Sequence, residues 1–124
     1  MIDLIEHLED YFSFLRQIKD KADYKLFHIP LDLSVNHLLR KRRFENTRHS
    51  VGHIHYFTKD LVLDILKETG YEVLDYFYTN STLDFPAKSI LSRFGRVPRR
   101  ILKALSPDLA ARWMGGFSLL LLAK

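Results

Sequence analysis

The sequence predicts an α/β fold, a sheet flanked by helices. Stretches in which apolar residues recur at helical spacing alternate with short runs of aromatic and β-branched residues. The helical stretches begin at capping residues such as Ser34, Thr58 and Ser106. The chain's 124 residues, 47% hydrophobic and 27% charged, suffice for one compact domain and exclude disorder as the global state. They lie near the lower size limit for a complete α/β enzyme.

The elements follow in order. Residues 1–5 read as the end of a buried strand. From Leu8 the period turns helical through Tyr11, Phe12, Leu15 and Ile18, with Glu9 and Asp10 in the first turn, where the helix dipole favours acids. Lys19 to Asp23 makes a solvated turn. Tyr24 to Ile29 reads as a strand ended by Pro30, which has no ladder donor. Ser34 caps a short helix carrying Val35, Leu38 and Leu39, and the polar stretch Arg40 to Ser50 reads as a loop or a fraying helix end. Thr58 then caps a helix with Val62, Ile65, Leu66 and Thr69 on one face, and Gly70 stands at the left-handed C-cap position. Tyr71 to Thr79 is the next strand. A basic helical insertion over 81–114 follows, with Pro86, Pro98 and Pro107 suited to first helical turns and Gly95 as a separator. Trp113 and Met114 read as packing residues. Phe117 to Ala123, after Gly115-Gly116, closes the domain as a last strand of undetermined direction.

Composition excludes several chemistries. There is no cysteine, hence no disulfide, thiolate metal site or cysteine nucleophile. The amino terminus has no basic n-region and the longest apolar run falls far short of a membrane span, so a cytoplasmic protein is expected. The net charge of +4 is local, since residues 84–112 carry +5 and the remainder −1. In that segment Ile90, Leu91, Phe94, Ile101, Leu102 and Leu105 interleave with the cations as on ordinary amphipathic helices. A solvated basic face is therefore expected ahead of nucleic-acid or anionic-membrane binding.

The order of signals resembles one family. Asp3-Leu4-Ile5-Glu6-His7-Leu8-Glu9-Asp10 is similar to the D-x-x-E-H segment after the fourth strand of class I S-adenosylmethionine-dependent methyltransferases. Tyr24 to Asp32 resembles their fifth strand and following turn. Gly52-His53-Ile54-His55-Tyr56-Phe57-Thr58 with the helix to Gly70 resembles the entry to the sixth strand, and Gly116 to Ala123 the last strand. The family's glycine-rich turn after its first strand, which cradles the cofactor, has no counterpart; the sole close glycine pair is Gly115-Gly116. The resemblance therefore implies a partial Rossmann-like domain over 1–124, strands four to seven with flanking helices, lacking the amino-terminal cofactor-binding half. An exposed sheet edge is then expected to self-associate or to take a separate amino-terminal half.

The same resemblance assigns candidate residues. Asp3, Glu6 and His7 fall on the S-adenosylmethionine side, and His53, His55 and Tyr56 on the acceptor side. His7 and His53 are the candidate bases, since imidazole titrates near neutrality. As bland alternatives, His7 bonds to nearby backbone and His53 is a loop residue. His53 and His55, two apart, would point the same way in an extended segment. With His49 they lack a cysteine or suitably spaced carboxylate, so no metal site is expected. Asp32 either borders a substrate pocket or caps the next helix, and His28 is expected as a hydrogen-bonded core or rim residue and not as a ligand. Three functions follow: part of a methyltransferase inactive alone, a non-catalytic interaction module derived from that fold, or a basic anion-binding domain.

Overall fold

A computed structural model describes residues 1–40, 42–80 and 96–124; Lys41 and residues 81–95 lie outside the description, and with them the readings made on Pro86, Lys88, Arg93 and Gly95. The elements are α1 (Tyr11–Ile18), β1 (Lys25–Leu31), α2 (Val35–Leu39), α3 (Arg43–Val51), α4 (Lys59–Glu68), β2 (Val73–Thr79), α5 (Arg96–Leu105), α6 (Pro107–Met114) and β3 (Phe117–Ala123). Among the described residues no helix is long and apolar enough to cross a membrane.

The sheet order is β1-β3-β2, with β3 antiparallel to both neighbours. This settles the direction that the long connection left open. β1 and β2 thus run the same way, which requires the crossover through α2, α3 and α4. Alternation along β1 and β3 turns Phe27, Ile29, Leu31, Phe117, Leu119, Leu121 and Ala123 into the core. They meet Leu15 of α1, Val62, Ile65 and Leu66 of α4, and Ala110 and Ala111 of α6 in one cluster. The other face of the sheet is less covered: Leu26 is 49% and Phe77 57% exposed.

The strand ending before Asp3 is a stub. Ile2 forms a single parallel bridge to His28. His28 N–H donates to Met1 O at 2.9 Å, and Asp3 N–H donates to His28 O at 2.9 Å. Pro30 lies inside β1 opposite Ser118 instead of ending the strand. The reason is geometric. Backbone groups of His28 face the stub, so the nitrogen of Pro30, two residues on, faces the same outer edge, where β3 needs no donor.

Caps explain where helices begin. Asp10 is the N-cap of α1 and accepts from Ser13 N–H at 3.0 Å; it is not a first-turn residue, and Leu8 lies before the helix. Ser34, Thr58 and Ser106 accept from His37, Leu61 and Leu109 N–H respectively, as their positions predict. Gly70 takes φ +89° after α4.

The polar stretch after α2 is helical as well. α3 buries none of its residues and ends on Gly52 at φ +80°, a cap that a sequence without an apolar face does not advertise. On α2 the buried residue is His37, while Leu38 and Leu39 are exposed. His37 is drawn in because Nδ1 donates to Asp32 O at 2.5 Å.

In the basic region, Leu102 packs against the core. Val97, Ile101 and Leu105 are exposed, as is Trp113 at 57%, so the expected packing of Trp113 is not found. The guanidinium of Arg99 instead lies inward and donates to Met114 O at 3.0 Å.

A polar clasp joins α4, β2 and α6. Lys59 Nζ reaches Asp108 Oδ2 at 2.7 Å, and the Tyr78 hydroxyl donates to the same carboxylate. Hydrogen bonds from Lys59 and then Tyr78 hold Asp108 below the usual carboxylate range. Its contribution to stability is present above pH about 4 and is lost as pH falls through the depressed value. Asp108→Asn should therefore remove part of the acid limb of a stability profile measured by urea denaturation between pH 2 and 7. Gly115 is a second constraint. At φ +65° and ψ −179° its backbone is in a region essentially restricted to glycine, and a Cβ there would stand 2.5 Å from Ser34 Oγ and 3.0 Å from His37 Nε2. Gly115→Ala should cost about 2–4 kcal/mol, read from the denaturation midpoint.

Candidate functional site

Because the stub and β1 run parallel, the residues that follow each emerge at the same end of the sheet, where open α/β sheets gather ligands. After the stub, Asp3 turns the chain with φ +44°, and a 3₁₀ turn over Ile5–His7 presents Glu6 and His7. After β1 comes Asp32. The third contributor is the extended segment before α4. Ile54 and His55 N–H both donate to Glu6 O, at 2.9 and 3.1 Å, and Leu33 N–H donates to Phe57 O at 3.1 Å. These bonds lay residues 53–57 across the sheet end and bring His53 to Glu6.

The result is a compact group. His53 Nε2 lies 4.0 Å and His7 Nε2 3.8 Å from Glu6 Oε1, and the two rings meet edge to face at 4.9 Å. Each imidazole is fixed from behind: His53 Nδ1 is 2.7 Å from Asp32 Oδ2, and His7 Nδ1 is 3.1 Å from Gly52 O. Both partners are acceptors only, so each Nδ1 donates to them and each Nε2 is left turned toward Glu6.

Glu6 is fully buried, and neither carboxylate oxygen has a hydrogen-bond partner. Burial pushes its carboxyl above the usual range, and the nearby Asp3 adds to the rise, against smaller opposing effects. The adjacent Ile5, 1% exposed, gains about 2 kcal/mol by burial, whereas an uncompensated buried carboxylate costs several. Stability alone therefore does not account for Glu6.

The other sequence candidates go elsewhere. Asp3 Oδ1 binds His28 Nδ1 at 2.7 Å, and His28 Nε2 meets Thr79 Oγ1 at 2.9 Å, which makes His28 the rim residue expected. His55 does not join His53; its ring packs edge-on against Tyr11 at 4.8 Å and lines a groove with Phe12, Asp64 and Glu68. The Tyr56 hydroxyl donates to Phe44 O and His53 O at 3.0 and 3.2 Å, so it braces the His53 backbone. Asp32 is not a helix cap, since Ser34 fills that role. The sequence leaves Asp32 between a pocket border and a helix cap, and its contact with His53 is in neither reading. Gly52 as the acceptor for His7 left no signal at all.

No protein-family model matches the sequence, and no curated protein does. Among solved structures, the chain is similar to the crystal structure of a SAM dependent methyltransferase from Archaeoglobus fulgidus, with 19% identity and a TM-score of 0.54. The likeness covers 100% of this chain and 57% of that one. The fold is methyltransferase-like. At this identity the likeness speaks for the fold alone, and the chain spans little more than half the length of that methyltransferase.

Glu6→Gln keeps the shape of the side chain and removes the buried charge. It should raise stability at pH 7 by about 1–2 kcal/mol in chelator-containing buffer, read by urea denaturation.

Proposed function

We propose that this chain is the acceptor-side part of an S-adenosylmethionine-dependent methyltransferase fold, equivalent to its strands four to seven, and that the cofactor cradle comes from residues beyond this chain. The convergence of Glu6, His7 and His53 at the carboxyl end of β1 carries the reading. The residues present fit the cofactor only at one edge. There is no glycine-rich turn in the sequence, and Asp3 is engaged by His28. S-Adenosylmethionine, when bound, supplies an electrophilic methyl group.

This chain's own residues do the acceptor-side work. Glu6 and His7 border the cofactor side, and His53, steadied by Asp32 and by the Tyr56 bond to its carbonyl, faces the acceptor. The half-exposed Leu26 and Phe77 fit a sheet face that further elements of a complete α/β domain would cover. The same face favours a second reading, a non-catalytic module that uses it to hold a partner.

The purified chain should show no heat of binding with S-adenosylmethionine and should self-associate in sedimentation. Co-expression with a glycine-rich βαβ half, encoded next to it or upstream in the same frame, should restore cofactor binding. Tight cofactor binding by the isolated chain would overturn the division of labour. A stable complex with such a half that still binds no cofactor would leave the interaction module standing instead.

A further inference from the structure

We propose that Glu6, His7 and His53 form a binding site for one divalent transition-metal ion of the zinc class. Asp32 and Gly52 O accept from the two Nδ1 atoms, so both Nε2 atoms are turned toward one buried carboxylate oxygen that neither reaches at hydrogen-bond distance. The gaps of 3.8 and 4.0 Å exceed the roughly 2.7–3.2 Å of a hydrogen bond, so no hydrogen bond joins the three groups as they stand. A metal ion would join them. Zinc holds nitrogen and carboxylate ligands at about 2.0–2.2 Å, which sets neighbouring ligand atoms of a tetrahedron roughly 3.4 Å apart. The three ligand atoms here lie within 4.8 Å of one another, so rotamer adjustments of an ångström or so close the site.

Three further features agree. Each imidazole carries the outer-shell partner typical of metal-bound histidine, a carboxylate for His53 and a backbone carbonyl for His7. The buried, partnerless carboxylate of Glu6 acquires the counter-charge it lacks. Two imidazoles and one carboxylate favour zinc or a neighbouring transition metal over magnesium, which prefers an all-oxygen shell. His7, the most open of the three at 34% side-chain exposure, leaves a route from solvent. With three protein ligands a fourth position stays open. Only its use rests on the methyltransferase reading: it would hold and polarise an oxygen of the acceptor, which narrows that acceptor to a hydroxyl class. The metal site itself is independent of any cofactor.

Spacing along the chain does not reveal the site, because the carboxylate and the second histidine stand 47 and 46 residues from His53. The test is calorimetric titration of the EDTA-treated full chain with zinc chloride, and separately with magnesium chloride. One zinc per chain is expected, at least about 100-fold tighter than magnesium, with an upward shift in the thermal midpoint. Glu6→Gln and His53→Gln should each weaken zinc by about 30-fold or more, and Asp32→Asn by about 10- to 100-fold. His55→Gln, which lies off the cluster, should leave it within about twofold. Because Glu6→Gln is expected to be more stable than the parent, its circular dichroism and melt establish that lost binding is not lost folding. Cobalt(II) absorbance in the parent, absent in Glu6→Gln, gives a second readout. No zinc uptake at equimolar concentrations, or uptake unchanged by Glu6→Gln and His53→Gln, overturns the proposal. Neither result depends on S-adenosylmethionine, so failure here is distinct from failure of the methyltransferase reading.

Discussion

Everything in this domain is hung on β3, the last strand of the chain, which lies between the two strands that precede it. Its backbone pairs with β1 over Lys25–Leu31 and with β2 over Val73–Thr79, so neither of those strands meets the other directly. Until β3 is in place, β1 and β2 have no ladder between them and the residues facing the core have no common floor. The dependence explains the demand at its entry. Gly115 and Gly116 both take positive φ, and the first passes against Ser34 and His37 with no room for a side chain. A turn that tight lets α6 end beside α2 and start the central strand within two residues.

The site depends on the same arrangement at one remove. Parallel pairing of the stub with β1 puts the 3₁₀ turn and Asp32 at one end of the sheet, and two hydrogen bonds to Glu6 O bind the 53–57 segment over them. Backbone therefore assembles the group, and side-chain attraction does not. That ordering matters energetically. A buried carboxylate whose oxygens meet no donor at hydrogen-bond distance is an unfavourable placement that persists because stronger constraints impose it.

Much of this was legible in the residues. Capping side chains at Ser34, Thr58 and Ser106 announced three helices, and the apolar run Phe117–Ala123 after two glycines announced a closing strand, because these signals are local; its central place in the sheet is not a local property. Pro30 misled, since whether a strand tolerates proline depends on which neighbour its nitrogen faces, a fact of sheet order. α3 was missed because it has no apolar stripe to reveal its period. Glu6, His7 and His53 were each visible as candidates, yet their meeting was not. Spacing along the chain suggested the pair His53 and His55, whereas the fold sends His55 to Tyr11 and gives His53 a carboxylate and an imidazole from the amino terminus.

Pro30 also governs how the sheet can grow. Among the described residues the pairing on the outer edge of β1 is the single bridge at Ile2, and an unpaired edge is the kind of surface on which strands from other molecules nucleate. With no N–H at position 30, that edge offers carbonyls but a broken run of donors, so a foreign strand can zip along it only as far as His28. The proline acts as an end-stop. It confines productive pairing to the stretch the stub already marks and makes this edge a poor seed for runaway stacking.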